Sequence, residues 1–143
     1  MPETGCIFCK IIAGDIKAAT VYEDENVTVF LDNGPLFPGH ALVCPRVHYD
    51  TIMDVPPETL QPLFAAVQLT ARAVESGLSA EGSFIAVNNK ISQSVPHLHV
   101  HVVPRRKGDG LKGFFWPRRP YKDEAEMQQT RDLLRIAIEK LRT

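Results

Sequence analysis

Three histidines stand at alternate positions in the run His97-Leu98-His99-Val100-His101-Val102-Val103. An extended chain turns successive side chains to opposite faces, so the imidazoles share one face while Leu98, Val100 and Val102 share the other. The apolar face suits a core. Three polar rings do not, because each one buried without a partner is costly, and the pattern marks a site. An imidazole has an unperturbed pKa of about 6.5, so it serves near neutral pH as nucleophile, proton carrier or metal ligand. Distance excludes a single ion on all three rings. The first and third Cα atoms of such a strand lie about 13 Å apart, whereas ligand nitrogens sit about 2 Å from zinc. At most two neighbouring rings serve one ion, so the three have separate tasks.

A second group of reactive side chains opens the chain as Cys6-Ile7-Phe8-Cys9, a spacing that suits metal or redox chemistry. Three cysteines in all do not make a disulfide framework. Cys44, alone in an apolar stretch, reads as a small buried hydrophobe.

These residues need elements to hold them. Phe8 to Ala13 forms a short helical turn ended by Gly14, with Cys6 and Cys9 at its start. Residues 20–23 and 26–31 carry the β-branched alternation of two strands joined tightly through Asp24-Glu25, a hairpin. Asp32 to Gly39 is dense in turn residues and forms a loop. His40 to Cys44 returns as a strand stopped by Pro45, and His48 lies just beyond its end. Pro56-Pro57-Glu58 starts a helix whose apolar stripe is Leu60, Leu63, Phe64, Val67, Ala71 and Val74, ending at Gly77. Pro62 either begins its main part or kinks it. Ser83 to Val87 is a strand that leads through the polar loop Asn88–Ser94 into the histidine strand, which Pro104 ends, giving a second antiparallel pair. The segment from Lys112 to Pro120, with Phe114, Phe115 and Trp116, is irregular and aromatic, fit for a flap or a subunit contact. From Asp123, with Glu126 at a capping-box position, Met127, Leu134, Ala137 and Leu141 mark a C-terminal helix. The expected class is α+β, a meandering antiparallel sheet of about five strands with two main helices, in one domain over residues 1–143 whose C-terminal segment begins near 108.

Composition narrows the function. The chain has 143 residues, 44% of them hydrophobic, enough for one domain with a real core. A formal net charge of -1 gives no polyelectrolyte signal, so nucleic acid is not an expected partner. No basic leader precedes an apolar segment and no apolar run approaches membrane-spanning length, so a cytoplasmic protein without a membrane partner is expected. No glycine-lysine phosphate loop is present in the sequence, which excludes a P-loop mechanism.

Taken together, several segments resemble the histidine triad (HIT) family of nucleotide hydrolases and transferases. They are the histidine run with Gln93-Ser94-Val95 before it and Pro104-Arg105 after it, Cys6-Ile7-Phe8-Cys9-Lys10-Ile11-Ile12, Tyr22-Glu23-Asp24, Phe30-Leu31-Asp32, Pro38-Gly39-His40-Ala41-Leu42-Val43 and Pro45-Arg46-Val47-His48-Tyr49. The resemblance extends nearly to Arg106. It implies a HIT-like fold that dimerises with a second copy and binds a purine nucleotide against the histidine strand. By the same resemblance His99 is the nucleophile, attacking the α-phosphorus to form a nucleotidyl-histidine that water then hydrolyses to the nucleoside monophosphate. His101 bonds a phosphate oxygen or the leaving group, and Ser94 and Gln93 with nearby amides hold the transferring phosphate. Asp32 takes the ribose hydroxyls, and Ile7, Phe8, Ile11 and Phe30 line the base pocket. Asn88 matches the phosphate-proximal asparagine, with Asn89 as its rival. In members that carry the N-terminal cysteine pair, the resemblance assigns a structural zinc to Cys6, Cys9, His48 and His97, and no organic cofactor. A redox pair is the alternative, although the βαβ context it needs is missing.

The loop departs from the family pattern. Asn89-Lys90-Ile91-Ser92-Gln93 is about two residues short and has Ser92 at a glycine position, which limits backbone approach to a phosphate while Lys90 adds a charge. This departure favours a second reading, a zinc-stabilised nucleotide-binding or interaction module with weak or no catalysis.

Overall fold

The computed structural model describes residues 3–112 and 116–142. In chain order the elements are α1 (Ile7–Ala13), β1 (Thr20–Glu23), β2 (Val27–Leu31), β3 (Ala41–Pro45), α2 (Pro57–Leu78), β4 (Gly82–Val87), β5 (Val100–Arg105) and α3 (Glu124–Arg142), with a 3-10 turn at Ile52–Asp54. The chain divides into Met1–Asp109, which holds the sheet with α1 and α2, and Gly110–Thr143, which holds α3. No helix among the described residues is long and apolar enough to cross a membrane.

The fold is α+β, built on a five-stranded antiparallel sheet in the order β1-β2-β3-β5-β4. The first three strands meander as expected. The last two exchange places, so β5 lies inside the sheet and β4 at its edge. Asp24 makes the first hairpin: its Oδ1 accepts the N–H groups of Asn26 and Val27 at 2.8 and 2.9 Å.

The inner strands are buried on both faces. Val27, Val29, Ala41, Val43, Leu98, Val100 and Val102 pack with Leu63, Ala66 and Val67 of α2. On the opposite face Phe30, Leu42 and Cys44 pack with Cys6, Phe8 and Cys9 at α1. Two-sided burial explains why the inner strands read as apolar runs rather than strict alternation. Cys44 is fully buried in this second cluster, as expected of a small hydrophobe, and burial pushes its thiol well above its usual value.

Several local expectations change. Ladder pairing in the histidine segment begins only at Val100 and runs through Pro104 to Arg105. Before it, Leu98 is held by donating its N–H to the Tyr49 carbonyl at 2.7 Å, yet it is fully buried on the Val100 face, so the alternation precedes the ladder. Pro104 is tolerated because β3 pairs with β5 only as far as Val102, leaving one side of the strand open there.

Helix α2 passes through Pro62 and Gly77 and ends at Leu78, capped by Ser79 in a left-handed conformation. The N–H that Pro62 lacks would have met the carbonyl of Glu58, an exposed first-turn residue, so the missing bond costs little there. Phe64 does not join the buried stripe: it is exposed, and Ala66 and Thr70 are buried instead.

In the second unit Asp123 caps α3, its Oδ1 accepting the Glu126 N–H at 2.8 Å. The Glu126 carboxylate reaches the Lys122 N–H rather than that of Asp123. Met127, Leu134, Ala137 and Leu141 are exposed. Phe114 and Phe115 of the expected aromatic segment lie outside the described residues.

Leu98 anchors the segment between His97 and His99 to the core. Leu98→Ala is expected to cost about 3 kcal/mol of stability, measured as a lower urea midpoint with an unchanged slope.

Candidate functional site

Helix α1 brings both cysteines to its first turn. Cys6 is the N-cap, and its sulfur accepts the Cys9 N–H at 3.3 Å; the Cys9 sulfur accepts the Glu3 N–H at 3.5 Å. Gly14, with φ 87°, turns the chain out of the helix. His97 Nδ1 lies 3.4 Å from Cys6 Sγ and 3.5 Å from Cys9 Sγ, and His48 Nδ1 lies 3.4 Å from Cys9 Sγ. The four ligand atoms are all within 4.8 Å of one another. The S···N edge of a tetrahedron with Zn–S of about 2.3 Å and Zn–N of about 2.0 Å is about 3.5 Å, so these residues fit a zinc ion.

The ring protons agree. His97 Nε2–H donates to the Pro45 carbonyl at 2.9 Å and His48 Nε2–H donates to Asp50 Oδ1 at 2.7 Å, which turns both Nδ1 lone pairs toward the sulfurs. The Pro45 carbonyl is available because β3 pairs with β5 only from Ala41 to Val43. Burial lowers His97 to about 4, keeping it a neutral ligand, and raises the Cys9 thiol, whose proton a bound cation displaces. The buried Cys2His2 cluster can coordinate a metal ion, and its set of donors is that of a structural zinc site, not of a redox pair.

The other two triad histidines point elsewhere. His99 Nδ1–H donates to the His97 carbonyl at 2.8 Å, so Nε2 carries a lone pair. The acceptor lies two residues back in the same segment rather than on a neighbouring strand. Phe8 meets the His99 ring edge-on, with centroids 5.0 Å apart. Burial lowers His99 and takes His101 to about 4, so both rings are neutral at pH 7.

His40, to which sequence reading assigned no role, completes the group. Leu36 N–H donates to His40 Nδ1 at 3.1 Å, which puts the His40 proton on Nε2, and this proton is donated to His101 Nδ1 at 2.9 Å. His101 Nε2–H is thereby left as a donor. Asp32 Oδ2 lies 3.7 Å from His40 Nε2. Asp32, His40 and His101 also have the composition of a metal cluster. The Leu36 N–H argues against that use, since a metal at His40 Nε2 would demand an imidazolate. Sequence could have flagged His40 only through the register Leu42↔His101, which brings its segment beside the histidine strand.

A cleft of about 600 Å³ gathers Ile7, Phe8, Ile11, Phe30, Asp32 and Ser94 with His99 and His101. Phe8 and Phe30 also pack edge-on in the core beneath it, while Ile7 is exposed and Ile11 half-buried. Leu42 and Lys17, also in the lining, were not anticipated. Asn88 and Gln93 are not among the lining residues. Asn89 Oδ1 accepts the Ile52 N–H at 3.0 Å, a tie to the 3-10 turn. Gln93 accepts the Lys90 N–H at 2.8 Å and donates to the Asp50 carbonyl at 2.5 Å. In the shortened loop Lys90 and Ser92 both take positive φ, 69° and 60°. The basic turn is held by the protein: Arg105 forks onto Asp109 within the turn, and Arg106 donates to the Leu78 carbonyl at the end of α2.

The model of the HIT domain family matches residues 13–108. The chain belongs to the HIT family. Protein hit of Bacillus subtilis is 42% identical over 135 residues, covering 92% of this chain and 89% of its own. A Zn-bound histidine triad family protein from Mycobacterium smegmatis is 42% identical over 96% of this chain and 95% of its own, with a TM-score of 0.72. Adenylylsulfatase HINT3 of Arabidopsis thaliana is 33% identical over 76% of this chain and 56% of its own length. The cysteine and histidine cluster is that of a zinc-binding branch of the HIT family.

Asp50→Asn retains the shape of the side chain but weakens the acceptor that orients His48. Zinc affinity is expected to fall about 10- to 100-fold, measured by competition with a chromogenic chelator.

Proposed function

We propose that the chain is a nucleotide hydrolase or nucleotidyl transferase cleaving at the α-phosphate of a purine nucleotide, either a dinucleoside polyphosphate or a nucleoside phosphoramidate. The observation that carries this reading is the tautomer of His99: with Nδ1–H committed to the His97 carbonyl, Nε2 offers a lone pair at the wall of the cleft. His99 Nε2 attacks phosphorus and the bond to the leaving group breaks. His101 Nε2–H donates to the departing atom or to a phosphate oxygen. Water then attacks the phosphorus of the nucleotidyl-histidine, releasing the nucleoside monophosphate and restoring His99. Ser94 offers a hydroxyl to the developing phosphate charge, and Asp32 offers a carboxylate oxygen to the ribose. Ile7, Phe8, Ile11 and Phe30 supply an apolar wall for the base. The Arabidopsis relative's name, adenylylsulfatase, is that of an enzyme and supports this reading. Zinc held by Cys6, Cys9, His48 and His97 would be structural, since four protein ligands close its coordination.

A second reading, a nucleotide-binding module with weak or no turnover, draws on the loop. Lys90 and Ser92 hold left-handed conformations that favour glycine, and their side chains crowd backbone approach to a phosphate. A homodimer is proposed with either reading: β4 is a sheet edge, and Ile85 on it and Phe64 on α2 are exposed. Equilibrium sedimentation is expected to return twice the 15.9 kDa chain mass.

The decisive assay follows AMP release from adenosine 5′-phosphoramidate and diadenosine tetraphosphate, with intact mass to detect an adenylyl adduct. His99→Ala is expected to lose on the order of a thousandfold or more in kcat. Turnover that survives the substitution overturns the mechanism, and AMP binding without turnover by the unaltered protein selects the module. The reacting ring must be neutral and burial lowers its pKa, so the acid limb of the kcat/KM profile should lie below the pH at which an ordinary imidazole titrates.

A further inference from the structure

The segment that carries a metal ligand and the loop that leads into the cleft are joined through Asp50 and Gln93. His48 faces the cysteines through Nδ1, while its Nε2–H is held by Asp50 Oδ1 at 2.7 Å. The backbone carbonyl of the same Asp50 accepts the Gln93 amide at 2.5 Å. Gln93 in turn accepts the Lys90 N–H at 2.8 Å, bridging the loop at the residue with φ 69°. Ser94, the next residue, lines the cleft beside His99 and His101. A parallel tie runs from Asn89 Oδ1 to the Ile52 N–H. Glycines at Lys90 and Ser92 would have set this loop by their own conformational freedom. Here side chains are held in conformations that cost about 1 kcal/mol or more each, and such conformations persist only where the surroundings over-determine them. At Lys90 the surrounding that does so is Gln93, itself held by the Asp50 carbonyl.

We propose that Gln93 is a positioning residue that couples the Cys2His2 cluster to the phosphate-holding loop, so that metal occupancy sets nucleotide affinity. Metal on His48 fixes the ring, the ring fixes Asp50, and Asp50 with Gln93 fixes the loop ahead of Ser94. The inference rests on the nucleotide reading above. By linkage the coupling is reciprocal: a nucleotide that binds the ordered loop must also tighten the cluster's hold on zinc.

The test uses the zinc-loaded full chain and reads zinc affinity as well as turnover. AMP affinity is first measured by calorimetry, and zinc affinity is then measured by equilibrium competition with a chromogenic chelator, with and without saturating AMP. In the unaltered protein AMP is expected to tighten zinc binding about tenfold, within the usual range of allosteric coupling. In Gln93→Ala the tightening should shrink to twofold or less. In the same variant KM should rise about tenfold with kcat little changed, because the bonds that orient His99 and His101 do not pass through Gln93. AMP that binds yet leaves the zinc affinity of the unaltered protein unchanged overturns the coupling and spares the nucleotide reading. Equal tightening in both proteins overturns the role of Gln93. No AMP binding at all overturns the nucleotide reading, and the coupling with it. If Gln93→Ala does not fold, the measurement on the unaltered protein still decides the coupling.

Discussion

Each buried imidazole must place one N–H somewhere, and that requirement shapes the whole active face. The chain has five histidines; four give one ring nitrogen to the protein and turn the other toward a task, and His40 gives both to the protein. His97 gives Nε2 to the Pro45 carbonyl, His48 gives it to Asp50, and His99 gives Nδ1 to the His97 carbonyl. His40 and His101 share one proton-bearing contact, with the Leu36 amide deciding its direction. In a low-dielectric interior an unmatched ring would cost more than these contacts gain, so the tautomers are fixed by the fold rather than by a ligand.

The sheet makes those partners available. Because β3 is short on the β5 side, it leaves the Pro45 carbonyl to a ring instead of a ladder. Because β2 and β3 are covered by α2 on one face and α1 on the other, while β5 has α2 on one face, Phe30, Leu42 and His101 form one row across the sheet opposite the α2 core. The cysteine helix covers one end of that row. A metal cluster and the cleft therefore lie side by side, and His97 serves both: its ring faces the sulfurs and its carbonyl sets His99.

Local pattern carried much of this. Alternation separated the three histidines from Leu98, Val100 and Val102, and it did so even where no ladder exists, because extended geometry alone produces it. The cysteine pair, the first hairpin and α2 were legible for similar reasons: each depends on residues within a turn or two. What stayed hidden depends on distant partners. The place of β5 inside the sheet, the part played by His40 and the bonds of Gln93 all come from cross-chain register or from backbone groups of remote segments. Phe64 misled because helical spacing places residues on an arc, and the edge of that arc is exposed here. Pro62 was ambiguous because its cost depends on whether one carbonyl meets water.

The ligands of the Cys2His2 cluster are spread along the chain, and His97 lies 91 positions after Cys6. During synthesis the cysteine pair emerges early and cannot be closed until most of the sheet has followed it. Closing so long a loop is entropically expensive, although the cost grows only slowly with its length. An ion bound there would stabilise the completed native topology over any partly made chain, because its last ligand in sequence, His97, follows four of the five strands.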